Sequence, residues 1–103
     1  MATMSTTILE QDGNLVALFE GRLDTAAAVV TEQDLRPLYE GNGQDVILDC
    51  TKLDYISSSG LRLFLGVLKA TKAKGGHVYI KGINDDLRTV FAMTGFTNLF
   101  EFK

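Results

Sequence analysis

The stretch Asp45–Gly76, DVILDCTKLDYISSSGLRLFLGVLKATKAKGG, decides how this chain folds. Its apolar run Val46-Ile47-Leu48 predicts a strand over Asp45–Cys50, and an unbroken run of that kind suits a central strand buried on both faces. Ser58–Lys74 then reads as a helix. Leu61, Phe64, Leu65 and Leu68 recur at helical spacing, with Arg62, Lys69 and Lys72 toward the other side. Gly75-Gly76 ends that helix, and Lys72 and Lys74 sit near its carboxyl end, where cations are favoured.

Downstream, Val78 and Ile80 alternate with His77, Tyr79 and Lys81, the mark of a half-exposed strand. Asn84 is placed to cap a further helix, with Asp85 and Asp86 in its first turn, Leu87, Val90 and Phe91 on one face and Gly95 as its stop. Phe96–Phe102 is apolar, fit for a short last strand or a packed tail. Upstream, Thr6–Glu10 and Leu15–Glu20 flank Gln11-Asp12-Gly13-Asn14, a strong hairpin signal because glycine reaches positive φ without a Cβ clash. Gly21-Arg22-Leu23-Asp24-Thr25 leads into a helix over Ala26–Tyr39, capped by Thr25 or Asp24 and closed by Gly41 and Gly43. Pro37 inside that stretch predicts a kink, or a restart near Thr31. Met1–Ser5, at the amino terminus, are expected to fray.

The predicted order is ββαβαβα with an open question over a final strand. Strand–helix–strand–helix in the second half calls for parallel pairing by right-handed crossovers, and the opening hairpin adds antiparallel neighbours. The expectation is therefore an α/β domain: a mixed sheet of four to five strands with helices mainly on one face. A length of 103 residues, without repeats or linkers, fits one domain over 1–103.

Composition narrows the function. A formal charge of −3 and the lack of a dense basic cluster argue against nucleic acid, and no apolar run is long enough to span a membrane. The amino terminus lacks the basic start and apolar stretch of a secretory signal, so the chain is expected in the cytoplasm. Cys50, the single cysteine, reads as a buried reduced thiol. His77 is the one histidine, no cluster has metal-ligand spacing, and no phosphate loop ends in Gly-Lys-Ser/Thr, so neither an enzyme, a metal nor a cofactor is expected.

Attention falls on Asp54-Tyr55-Ile56-Ser57-Ser58-Ser59-Gly60-Leu61, where a strand gives way to a helix through three hydroxyl residues and a glycine. Helix starts present N–H groups without intrahelical partners and a partial positive charge. A serine there caps the helix in the ordinary case, since serine is among the commonest capping residues. Phosphorylated, it would hold a dianion where the helix end tolerates one.

Gly21-Arg22-Leu23-Asp24-Thr25, Val46-Ile47-Leu48-Asp49-Cys50 and Ile56-Ser57-Ser58-Ser59-Gly60-Leu61-Arg62 together resemble the STAS domain of bacterial anti-sigma factor antagonists. The resemblance runs from about Thr6 onward. It implies a partner-switching regulator that binds an anti-sigma factor, a GHKL-type serine kinase, and is switched off when that kinase phosphorylates a serine. A PP2C-type phosphatase would reset it. The family's acceptor falls on Ser58, two before the glycine. Many members carry Asp directly before it, where this chain has Ser57, which makes Ser57 the second candidate acceptor. Asp24 matches the family's loop acid. The implied partner surface takes in Asp24, Thr25, Tyr55, Ser57, Ser59, Gly60 and Arg62, on a monomer or weak homodimer. The same fold serves as an adaptor subunit of ABC-type transport complexes, which is the alternative expectation.

Overall fold

The structure, a computed structural model, describes residues 4–103. The described chain opens with a hairpin: β1 (Met4–Gln11) and β2 (Asn14–Leu23) pair antiparallel without a break in register. Asp12 and Gly13 connect them, both at positive φ (56° and 82°), the twist that two-residue hairpin loops require. Of the five residues expected to fray, Met1–Thr3 lie outside the described residues, whereas Met4 and Ser5 are strand residues opposite Gly21 and Glu20.

Next come α1 (Thr25–Asp34) and α2 (Arg36–Tyr39), so the expected single helix is two. The break falls at Leu35 rather than near Thr31. Pro37 lies in the first turn of α2, where its missing N–H needs no acceptor, and Leu35 is fully buried at the joint. β3 (Val46–Ile56), α3 (Ser58–Ala73), β4 (Val78–Lys81) and α4 (Asp85–Met93) follow. A 3₁₀ turn over Phe96–Asn98 leads to the short β5 (Glu101–Phe102), which settles the question of the last strand.

The sheet order is β1-β2-β3-β4-β5, with β2 to β5 parallel. Each crossover steps in the same direction, so right-handed connections deliver every helix to one face. That face holds one core, in which Ala17, Phe19, Leu48, Cys50, Val78 and Ile80 of the strands meet Leu61, Phe64, Val67, Leu87 and Phe91 of the helices. Phe91 is its aromatic hub, with ring centres 6.2 Å from Phe64, 6.1 Å from Phe96, 6.2 Å from Phe100 and 6.1 Å from Phe102, and Phe64 in turn lies 5.3 Å from Phe19.

β3 corrects one expectation. It is central but covered on one side only: Val46, Leu48 and Cys50 are buried under the helices, while Ile47 and Asp49 lie half-exposed on the bare face. Ile47 belongs to an apolar row across that bare face, Leu9–Val16–Ile47–Tyr79, set by the register. β3 also runs six residues past Cys50, so Asp54, Tyr55 and Ile56 are strand, not loop.

Candidate partner-docking site at the start of the Ser58 helix

The carboxyl ends of β2 and β3 lie side by side, and each turns at once into a helix. At the end of β2, Asp24 caps α1: its Oδ1 accepts from the Ala27 N–H at 2.8 Å. Next door, Ser57 caps α3 through its Oγ, which accepts from the Gly60 N–H at 3.1 Å. The Ser57 N–H donates to the Leu23 carbonyl at 2.9 Å and so bolts one turn to the other. Gly60 completes the joint, because a Cβ there would stand 2.8 Å from both Ile56 Cγ1 and Leu23 Cγ. Only a residue without a side chain lets α3 approach this closely.

These facts sort the three serines. Ser57 is 8% exposed with its hydroxyl engaged in the cap. Ser58, the first helical residue, is exposed, and Ser59 is half-buried. Of the residues expected on the partner surface, Ser57 and Gly60 are buried, the first by capping and the second by close packing. Gly60 acts on the site by holding Ser58 in place. The capping hydroxyl and the exposed hydroxyl thus belong to adjacent residues.

Tyr55, 40% exposed, stands on β3 beside Arg22 of β2, whose guanidinium lies over its ring at 4.4 Å. Thr25 and Arg62 meet across a shallow groove between α1 and α3, lined also by Val29, Glu32 and Ser59. The structure therefore brings Asp24, Thr25, Tyr55, Ser58, Ser59 and Arg62 to one end of the sheet. Arg22 and Val29 join them, and sequence reasoning had given them no role. Val29 and Val30 are 67% and 61% exposed, which spacing alone does not reveal, since consecutive residues such as Val67 and Leu68 of α3 are both buried.

The electrostatics favour an anion at Ser58. With Gly60 N–H taken by Ser57 and Leu61 N–H bonded to the Ser57 carbonyl, the amides of Ser58 and Ser59 are left without intrahelical acceptors. No acid occupies the first turn of α3, whereas α4 carries Asp85 and Asp86 at the same place. His77 is not a base for Ser58. It precedes β4 at the opposite end of the sheet, with Nδ1 3.0 Å from Glu101 Oε2. The eleven residues of β3 from Val46 to Ile56 separate the two ends by about 30 Å at strand rise.

Residues 5–103 match the family model described as the STAS domain, and the chain belongs to that family. BtrV of Bordetella bronchiseptica, a protein assigned as an anti-sigma factor antagonist, is 34% identical over 97 residues, covering 94% of this chain and 84% of its own. The anti-sigma-B factor antagonist of Staphylococcus aureus is 32% identical over 79 residues, covering 77% and 73%. Among solved structures, an anti-sigma factor antagonist assigned in Thermotoga maritima superposes with a TM-score of 0.85 at 16% identity, covering 94% of this chain and 84% of its own. Phosphorylated SpoIIAA of Bacillus superposes at 0.73 with 20% identity, covering 96% and 91%. At such identities these two speak for the fold alone. No helix among the described residues is long and apolar enough to cross a membrane.

Proposed function

We propose that this chain is an anti-sigma factor antagonist whose docking surface is switched by phosphorylation of Ser58. The observation that carries the reading is the division of labour between Ser57, which caps α3 and is buried, and Ser58, which is exposed and free of any capping duty. Modification of Ser58 leaves the cap, the Leu23 tie and the Gly60 packing untouched, so the scaffold persists while its surface changes. The relatives named above are antagonists, which gives this reading precedence over the transport adaptor.

In the unmodified state Ser58, Tyr55 and the Thr25–Arg62 groove present a surface of small polar and aromatic groups to an anti-sigma factor of the serine-kinase type. Transfer of the γ-phosphoryl group of ATP to Ser58 Oγ, with its proton leaving to the kinase base, adds about −1.5 to −2 charges. Desolvating an unpaired charge in an interface costs several kcal/mol, and each 1.4 kcal/mol is tenfold in affinity, so binding falls by roughly two orders of magnitude or more. A phosphatase acting on the exposed phosphoserine restores the original surface. SpoIIAA, which shares this fold, is known in unphosphorylated and phosphorylated forms, which supports a fold that persists when phosphorylated.

Calorimetric titration of the cognate anti-sigma factor with wild type, Ser58→Ala and Ser58→Asp tests the switch. Alanine is expected to bind within a few-fold of wild type and aspartate about a hundredfold more weakly. Equal affinity of the two variants would falsify the proposal. Mass spectrometry after incubation with kinase and ATP places the phosphate, expected on Ser58 in wild type and absent from Ser58→Ala.

A further inference from the structure

We propose that β1 pairs antiparallel with β1 of a second copy, in a register centred on Thr7, and so joins two five-stranded sheets into one. The two borders of the sheet are built very differently. β5 is two residues long, its Glu101 is held by His77 at 3.0 Å, and Lys103 Nζ sits 4.6 Å over the Tyr79 ring. Shortness and flanking charge are how sheets blunt an edge. β1 has neither. Its eight residues, MSTTILEQ, contain no proline, no lysine and one charge, Glu10 near the end. Its register with β2 is unbroken, so no bulge twists it aside. Among the described residues no strand lies beyond it. An extended row of backbone donors and acceptors takes an extended partner.

A second copy fits this edge. Antiparallel self-pairing about Thr7 sets Thr6 opposite Ile8, Ser5 opposite Leu9 and Met4 opposite Glu10. No like charges meet, and residues of the same face stay on the same face. The half-buried Met4 and Ile8 then continue the helix-covered layer of one copy into that of the other. α1 supplies a second, independent sign. Thr25, Val29 and Glu32 line its groove toward α3, which turns Val30, 61% exposed, to the far side, where α1 packs on β1. Pairing across β1 brings the Val30 side chains of the two copies toward each other. It leaves both Ser58 sites open, because antiparallel union points the ends of the two β3 strands in opposite directions.

Sedimentation velocity across a concentration series tests this, since Thr7 is exposed on the bare face and tolerates substitution without disturbing the core. Wild type is expected to dimerise with rising concentration. Thr7→Lys, which sets two lysines face to face at the axis, should weaken the dimer at least tenfold while its melting curve stays that of wild type. Thr7→Cys should oxidise to a covalent dimer at least tenfold faster than Ser5→Cys, whose partner position is Leu9, and this readout serves if the lysine variant unfolds. A wild type that stays monomeric throughout, its edge bare or taken by another protein's strand, overturns the proposal. So does a dimer indifferent to Thr7→Lys with the two cysteine variants oxidising alike.

Discussion

Gly60 shows how one hydrogen atom in place of a methyl group holds the site together. In an exposed helix, alanine for glycine stabilises by up to about 1 kcal/mol. Here the added carbon meets Ile56 and Leu23 at 2.8 Å, and both are core side chains with nowhere to retreat. Overpacking costs about 1–3 kcal/mol, so the steric term wins and Gly60→Ala is expected to lose about 1–2 kcal/mol net. A thermal melt should show the midpoint falling by about 4–8 °C per kcal/mol lost in a domain of this size. An unchanged or higher midpoint would show that the joint between β2 and α3 is looser than the distances imply. Ser57 and Ser58 teach a related lesson: neighbours of identical chemistry divide capping from exposure because the chain turns between them.

At the scale of an element, α3 begins with uncompensated amides and no acid in its first turn. A negative group at Ser58 therefore stabilises the helix by about 0.3–1 kcal/mol at low ionic strength, and a positive one destabilises it similarly. Chemical denaturation should rank Ser58→Asp above wild type and Ser58→Lys below it, with the spread shrinking in salt as screening grows. Were aspartate the least stable of the three, the claim that the scaffold welcomes a dianion would be lost, whatever the binding data said. The same element view explains α1 and α2. Sequence periodicity merged them, because proline early in a helix and proline inside one look alike until the chain path is known.

For the whole molecule, burial of Cys50 makes the fold sensitive to alkali. Burial, aided by the charge of Asp49, pushes the thiol well above its ordinary 9.0. Above that value the unfolded chain has released this proton and the folded chain still holds it, so stability falls as pH rises, by about 1.4 kcal/mol per pH unit. Tyr39, raised by burial and by Glu32, adds the same sign only above 10.0, which leaves pH 9 to 10 as the window for the cysteine. Urea midpoints across that window should decline more steeply in wild type than in Cys50→Ala. Parallel slopes would mean that the thiol is not the titrating group. The bare sheet face belongs to this scale too, since no single strand reveals that its other side has no helix.

Local rules were enough for much of this protein. Capping chemistry placed the starts of α3 and α4 within a residue, Asp12-Gly13 announced the hairpin, and the spacing of Leu61, Phe64, Leu65 and Leu68 announced α3. Those features act over a few residues, so the order of amino acids determines them by itself. Other features required the tertiary structure. Val46-Ile47-Leu48 could not say that one face of β3 stays bare, because coverage depends on which way distant crossovers turn. Ser57, Ser58 and Ser59 could not say which hydroxyl is buried, because that depends on the Leu23 carbonyl 34 residues earlier along the chain. Long-range contacts decide exposure, and exposure decides which serine a partner can reach.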